Sequence, residues 1–492
     1  MQFTYPHPYA QHSDQLGLAL YEFILILKPN LIIRMIAQGS KVHFIAIGGS
    51  VMHSLALALH ENGLVITGSD DMIFEPSKSR LAAEGLLPDP IGWNAEKVHE
   101  GLDAVILGMH AKENNPELLR ARELGLPVYS YPDFIYQQSR NKQRIVIAGS
   151  HGKTTITSMI IHVLQQMQRE FDYVVGAQLK GVHNTVKLSD APIIVIEGDE
   201  YLTSILDKTP KFLKYQHHIG LVSGVAWDHI NVFPTIDEYV RQFDLFADAT
   251  PKAGSLIYCE EDDLATVICV KEREDVSRIP YQEHSSIIED GVTYLKTDQG
   301  PVPVKVFGRH NMQNFSGALE VLKKLGVTET QFYNAIQSFE GAANRLELVK
   351  SSNGTAIFKD YAHAPSKLAA TTKALKEQFQ ERSLVACIEL HTYSSLNKKF
   401  LGQYSDSFQS ADLPIVYYNP QIIAHKNLEP ITKEEIRKAF NHVDLQVFND
   451  INELEHFLLK QDWETKNLLL MSSGNFDGLS IKVLSDAIIQ DQ

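Results

Sequence analysis

Residues 145–167 read IVIAGSHGKTTITSMIIHVLQQM, and this stretch decides the architecture. A short apolar run suits a buried strand, a glycine-rich loop follows, and apolar residues then recur at helical spacing. In such a strand–loop–helix unit the loop's backbone N–H groups point at phosphate oxygens. The helix N-terminus adds partial positive charge, Lys153 supplies a point charge, and the Thr154 hydroxyl can ligate magnesium. Gly149, Ser150, His151, Gly152, Lys153, Thr154 and Thr155 are therefore the candidate nucleotide-phosphate contacts. The generic spacing G-x-x-x-x-G-K-[ST] wants a glycine at position 147, where Ile147 stands. The competing reading is a glycine-rich turn with an incidental lysine.

Downstream, APIIVIEGDE (191–200), HIGLVSGVAWDHI (218–230) and AGSLIYCE (253–260) are apolar strands ending in polar residues. In a doubly wound sheet such ends converge on one edge, so a carboxylate of Glu197-Gly198-Asp199-Glu200 is expected to face the metal, with Asp228-His229 close by. Upstream, KVHFIAIGGSVMHSLALALHENG (41–63) is another strand–loop–helix unit, and LVITGSD, DAVILGMH and LPVYSY continue the alternation. Gly48, Gly49, Ser50 and Asp70 resemble a dinucleotide fingerprint, but Ala46 and Val51 break the G-x-G-x-x-G pattern, so NAD is a poor expectation. The polar run QQSRNKQR (137–144) reads as a linker. SFEGAANRLE (338–347) marks a second boundary, beyond which TAIFKDYAHAPSKL, SLVACIELHTYS, LPIVYYNP, LQVFND and NLLLMSSGN repeat the strand–helix alternation. The expectation is an α/β chain with an N-terminal extension (1–40) and domains at 41–140, 141–341 and 342–492.

With 492 residues the chain is long enough for about three domains. Its formal net charge of -15 is the reverse of a nucleic-acid binder's footprint. Three cysteines without a C-x-x-C pair argue against a disulfide scaffold or structural zinc and fit a reducing, cytoplasmic setting. The apolar stretch LGLALYEFILIL is interrupted by Glu22 and closed by Lys28-Pro29, too short for a membrane span. Met35 is an alternative start.

The ordered set GGxxM…GSD, GSHGKTT, EGDEY, DH, GRHNxxN, DYAHxP and SSGNFDG resembles the ATP-dependent Mur ligases of bacterial cell-wall synthesis. The resemblance implies a UDP-sugar-binding Rossmann-like domain, a P-loop central ATPase domain and a Rossmann-like C-terminal domain that binds the amine. It also implies ATP and Mg2+ as cofactors and an acyl-phosphate route to an amide bond. Lys153 would neutralise the β- and γ-phosphates. Thr154 and Glu197 would hold one magnesium, and His229 would help hold a second. Asn311 and Asn314 match the adenine-binding pair, with helix capping as the alternative, and Arg345 and Asp360 match nucleotide contacts of the third domain. Gly48, Gly49, Ser50 and Asp70 match the uridine-diphosphate pocket, and His183 and Asn184 the muramyl contacts.

Within the family, residues 66–79, 195–215 and 471–478 look most like the murein peptide ligases. These join the tripeptide L-Ala-γ-D-Glu-meso-diaminopimelate to UDP-N-acetylmuramate during peptidoglycan recycling. The alanine-adding ligases are the nearest sibling. Departures from the family pattern are Gly224 and Ala226 in the "NxExDH" segment, Asn344 in an arginine pair, Ala364 in "DYAHHP" and Leu202 in "DEYD". They motivate a third reading, a nucleotide- or UDP-sugar-binding protein that no longer catalyses. Lys359 or Trp227 could compensate for the losses. No candidate for a carbamylated lysine follows Asp228-His229.

Overall fold

The computed structural model describes residues 38–490 other than 177–181, 183, 205, 290 and 353. The expected extension lies almost wholly outside these residues, as does His183.

Apolar runs of four to six residues cannot stay solvated, and between flanking helices they become parallel strands buried on both faces. In the first domain β1 (Lys41–Ile45), β2 (Val65–Ser69), β3 (Ala104–Leu107) and β4 (Val128–Ser130) form one parallel sheet in the order β2-β1-β3-β4. Helix α1 (Ser50–Glu61) leaves the β1 loop and packs its apolar face inward.

The second domain holds β5 (Gln143–Ala148), β6 (Asp172–Val174), β7 (Val186–Lys187), β8 (Ile193–Glu197), β9 (Ile219–Val222), β10 (Ser255–Cys259) and β11 (Ser277–Tyr281). Their order is β11-β10-β9-β5-β8-β6-β7, with only β7 antiparallel to its neighbour. Since β5 has β8 on one side and β9 on the other, it lies where the winding reverses, and ligand crevices form at that point. Helix α2 (Lys153–Gln166) follows β5. Helices α3 (Ile236–Asp248) and α4 (Arg309–Lys324) complete the domain's share of the site. Ile147, Ile156, Ile160, Val195, Leu221 and Phe315 form its core.

A three-stranded antiparallel sheet, β12 (Ser286–Glu289), β13 (Val292–Thr297) and β14 (Gly300–Val304), was not foreseen. It is half exposed and proline-containing, so it lacks the apolar runs that marked the other strands.

The third domain contains β15 (Glu347–Ser351), β16 (Ala356–Asp360), β17 (Ser383–Leu390), β18 (Leu413–Tyr418), β19 (Gln446–Phe448) and β20 (Lys466–Met471). Their order is β15-β16-β20-β17-β18-β19, antiparallel only at β15. Along β17, Leu384, Ala386 and Ile388 enter one core while Val385 and Cys387 enter another, so helices cover both faces. Helix α5 (Pro365–Gln378) follows β16.

The run read as a linker is structured. A helix spans Tyr131–Gln138, β5 begins at Gln143, and the buried Arg144 guanidinium donates to Ser139 O (2.8 Å) and Gln216 O (2.9 Å). Its donors collect backbone carbonyls, which turns a polar run into part of the packing. Cys259, Cys269 and Cys387 are all free and buried. No helix among the described residues is long and apolar enough to cross a membrane.

Candidate functional site

The loop after β5 turns sharply because Gly152 takes a left-handed conformation (φ +79°), which starts α2 at Lys153. A Cβ at Gly152 would lie 2.5 Å from Asn314 Oδ1, so this position admits only glycine while α4 packs against the loop. Ser223 fixes the loop from β9 by donating its hydroxyl to His151 O.

Two side-chain pairs hold the loop. Thr154 Oγ1 donates to Glu197 Oε1 at 2.7 Å, and Glu197 Oε2 accepts from Gly176 N at 2.8 Å. Lys153 Nζ lies 2.8 Å from Glu200 Oε2 and also donates to Gly149 O. Glu200 Oε1 accepts from Tyr239 OH (2.9 Å) on α3, and Tyr239 OH is 2.8 Å from Ser150 Oγ, which accepts from Ala226 N (2.8 Å). Burial opposes the Lys153 ammonium, but the charge and hydrogen bond of Glu200 outweigh it and raise its pKa. Burial likewise opposes the Glu200 carboxylate, yet Lys153 and His229 hold it far below the ordinary range.

His229 adopts φ +56° and places Nε2 3.5 Å from Glu200 Oε1. Burial acts against its protonation, but Glu200, Asp228 and Asp199 overcome it, so the pKa is raised. The structure thus places His229 Nε2 against Glu200 and its ring beside Asp228, at the strand end where the metal-side residues were expected.

Thr154 and Glu197 supply hard oxygen donors side by side, which suits magnesium, an ion held by one or two carboxylates together with substrate phosphates. Among the described residues no group of three or more His, Cys, Asp or Glu could hold a metal by itself.

Of the expected ATP- and metal-site residues, all but Gly149 and His229 line one cavity of about 510 Å³, which is bounded from the second domain by the glycine loop, Glu197, Asn311 and Asn314 and from the third by Arg345, Asp360, His363 and Lys367. Asn311 Nδ2 donates to Phe307 O (2.8 Å) and Asn314 Nδ2 to Asn311 Oδ1 (3.2 Å). Both sit inside α4, whose N-cap is Gly308, so helix capping does not account for them. Asp360 accepts from Leu346 N and Ala362 N, both at 2.6 Å, and burial raises its pKa against the pull of Arg345. The Arg345 guanidinium lies over the Tyr361 ring, 4.6 Å from its centre. Burial pushes the His151 and His310 imidazoles down to about 4.

In the first domain Asp70 Oδ2 accepts from Gly48 N at 2.7 Å, so this buried carboxylate braces the glycine loop from within. Gly49 N-caps α1 and Ser50 begins it. Asn184 Nδ2 donates to Ser54 O (2.9 Å), while its Oδ1 accepts from Arg80 Nη2 (3.2 Å), which ties the first two domains together.

The two suggested compensators have partners of their own. Lys359 pairs with Glu347 at 3.3 Å, and Trp227 donates to Phe233 O with its ring edge on Phe400. Sequence reasoning missed Tyr239 and Lys367. Tyr239 carries no local signal on an amphipathic helix. Lys367 could have been found as a cation in the first turn of a helix opening at the carboxyl end of β16, against the helix dipole. At the ends of β17 and β20 lies buried Glu389, whose Oε2 accepts from Ser472 Oγ and Phe476 N (2.8 Å), with His391 Nδ1 3.4 Å from Oε1.

Three family models match the chain in order: the Mur ligase family catalytic domain (41–143), the Mur ligase middle domain (147–322) and the Mur ligase glutamate ligase domain (344–474). The UDP-N-acetylmuramate--L-alanine ligase of Caldicellulosiruptor bescii is 28% identical over 92% of this chain and 100% of its own length. That of Persephonella marina is 29% identical over 90% and 96%. Among solved structures, a murein peptide ligase from Psychrobacter arcticus aligns with a TM-score of 0.63 at 22% identity, covering 92% of this chain and 99% of its own. The UDP-N-acetylmuramate-alanine ligase of Thermotoga maritima aligns with 0.66 at 19%, covering 92% and 98%. With these matches spanning all four sheets and the residues that line the cavity, the chain belongs to the Mur ligase family and is an ATP-dependent, ADP-forming ligase.

Proposed function

We propose that the chain joins the lactyl carboxylate of UDP-N-acetylmuramate to the amine of L-alanine. A carboxylate oxygen attacks the γ-phosphorus of ATP, the β,γ-bridging P–O bond breaks and ADP leaves with the electron pair. The amine nitrogen then attacks the acyl carbon, loses a proton and displaces phosphate. The observation that carries this reading is the pairing of an intact phosphate loop with curated relatives that span nearly the whole chain and act on that sugar nucleotide and that amine.

Lys153, released from Glu200 by the arriving polyanion, would neutralise the terminal phosphates, and Asn311 and Asn314 offer amide donors and acceptors to the base edge. Thr154 and Glu197 would hold magnesium, which when bound supplies charge neutralisation across the phosphates. Gly48, Gly49, Ser50 and Asp70 would receive the uridine diphosphate, with Asn184 toward the muramyl group. The intact Lys153–Glu200 and Thr154–Glu197 pairs favour catalysis over a binding-only role.

The second reading keeps the reaction and changes the amine to the tripeptide L-Ala-γ-D-Glu-meso-diaminopimelate. It is favoured by the likeness of residues 66–79, 195–215 and 471–478 to the murein peptide ligases. Purified protein with ATP, magnesium and UDP-N-acetylmuramate, offered L-alanine, tripeptide or no amine, distinguishes the readings by phosphate release and product mass. UDP-muramyl-alanine supports the first and UDP-muramyl-tripeptide replaces it with the second. Nucleotide binding without any product would move the chain to a binding role.

A further inference from the structure

The cavity between the second and third domains gathers cations beyond the one on the glycine loop, set against the carboxylates of Glu197, Asp360 and Glu377. The N-termini of α2 and α5 both open beside it, and Lys153, Arg345 and Lys367 all line it. Lys367 is the unexpected member. It occupies the first turn of α5, after Ala364 and Pro365, where no acidic residue and no side-chain cap offset the positive helix end. Its Nζ lies 3.8 Å from Asp228 Oδ2, and Asp228 faces His363 Nε2 at the same distance. Burial lowers the Lys367 pKa, and Lys153 and Arg345 add to this against the attraction of Asp228 and Glu200. An ammonium held against a helix dipole, near two other cations, on a carboxylate too far for a strong hydrogen bond, is poised for a better anionic partner.

Resting on the ligase reading above, we propose that Lys367 is a catalytic residue that contacts the γ-phosphoryl group of ATP from the third domain. On nucleotide binding its ammonium exchanges Asp228 for the terminal phosphate oxygens. As the carboxylate oxygen bonds to the γ-phosphorus and the β,γ-bridge breaks, Lys153 and Lys367 flank the group in transit from opposite domains. No proton moves in this step; Lys367 contributes charge alone. Asp228, released from Lys367, remains beside His229 and His363.

Binding of ADP and of the β,γ-imido analogue of ATP, both with magnesium, is measured by titration for wild type, Lys367→Ala and Lys367→Arg. In parallel, kcat and KM for ATP are measured with whichever amine the wild type accepts. The expected result for Lys367→Ala is roughly tenfold weaker analogue binding with ADP affinity within about twofold, and kcat lower by about 10²-fold. Lys367→Arg, which keeps the charge, should recover most of both. Equal weakening of the two nucleotides, no weakening of either, or an arginine variant as impaired as the alanine variant would overturn the proposal. The titration needs neither sugar nucleotide nor amine, so a failed substrate assignment would show only in turnover and remain distinguishable.

Discussion

Lys153 and Glu200 show how a single residue pair carries the chemistry before any ligand arrives. A buried ammonium without a counter-charge would lose its proton, and Glu200 prevents this while being displaceable by phosphate. Replacing Lys153 by alanine is expected to lower turnover by at least ~10²-fold, because a preorganised charge on the transferred group is removed. A phosphate-release assay in which the variant kept most of its rate would defeat the phosphate-loop assignment. For Asp360, conversion to asparagine keeps one acceptor for Leu346 N or Ala362 N but removes the charge facing Arg345. We expect kcat for ligation to fall further than affinity for ATP, measured by steady-state kinetics alongside nucleotide titration. Equal losses would argue against a role in closing the third domain over the nucleotide.

At the level of elements, the joint between α4 and α5 depends on Gly308. Its φ is +90°, and an added Cβ would lie 2.4 Å from Ala374 Cβ on α5. Gly308→Ala should therefore destabilise the protein by about 1–3 kcal/mol through overpacking and strained backbone. It should also lower kcat by holding the third domain away. Thermal unfolding with and without nucleotide tests this, and an unchanged midpoint together with unchanged turnover would contradict it. The elements most legible in the sequence were those with one dominant signal. Apolar runs such as IVIA, PIIVI and LVACI became central strands, and the GSHGKTT loop fell between strand and helix as its glycines require. What stayed hidden lacked that signal. Strands β12–β14 are half exposed and short of apolar residues, and the 137–144 run looked like a linker because the Arg144 guanidinium is held between carbonyls of the run itself and the distant Gln216 O, a pairing that no local pattern announces. The site divides in the same way. Lys153 and Thr154 were marked by the loop's spacing and Glu197 by its acidic strand end together with the family resemblance, whereas Lys367 and Tyr239 reach the site only through the docking of α5 and α3.

Across the whole molecule, several histidines are held neutral, His217 in the core and His151 and His310 half-buried at the cavity. Burial holds His217 down to about 3, and His151 and His310 to about 4, all below the unfolded value near 6.5. Between these values the unfolded chain binds protons that the folded chain refuses, so stability falls as pH drops below about 6.5. The loss is up to ~1.4 kcal/mol per pH unit for a fully buried histidine and less where water reaches the ring. His229 behaves oppositely: its raised pKa keeps it charged through this window, and its contribution is lost only as pH rises through the folded value. Thermal midpoints measured from pH 7 to 4.5 should fall, and His217→Gln, which keeps a partner for Thr250 Oγ1, should flatten that slope. An unaltered slope in the variant would remove His217 from the explanation.

The burial of every cysteine has a practical corollary. Burial raises the pKa of Cys259, Cys269 and Cys387, so thiol-directed reagents meet a folded protein with no ready target. A cysteine introduced at the fully exposed Val443 of the third domain, paired with one at Val65 of the first, would accept donor and acceptor dyes selectively. Energy transfer between them would follow domain motion in real time, in the otherwise wild-type enzyme and without removing a single native thiol.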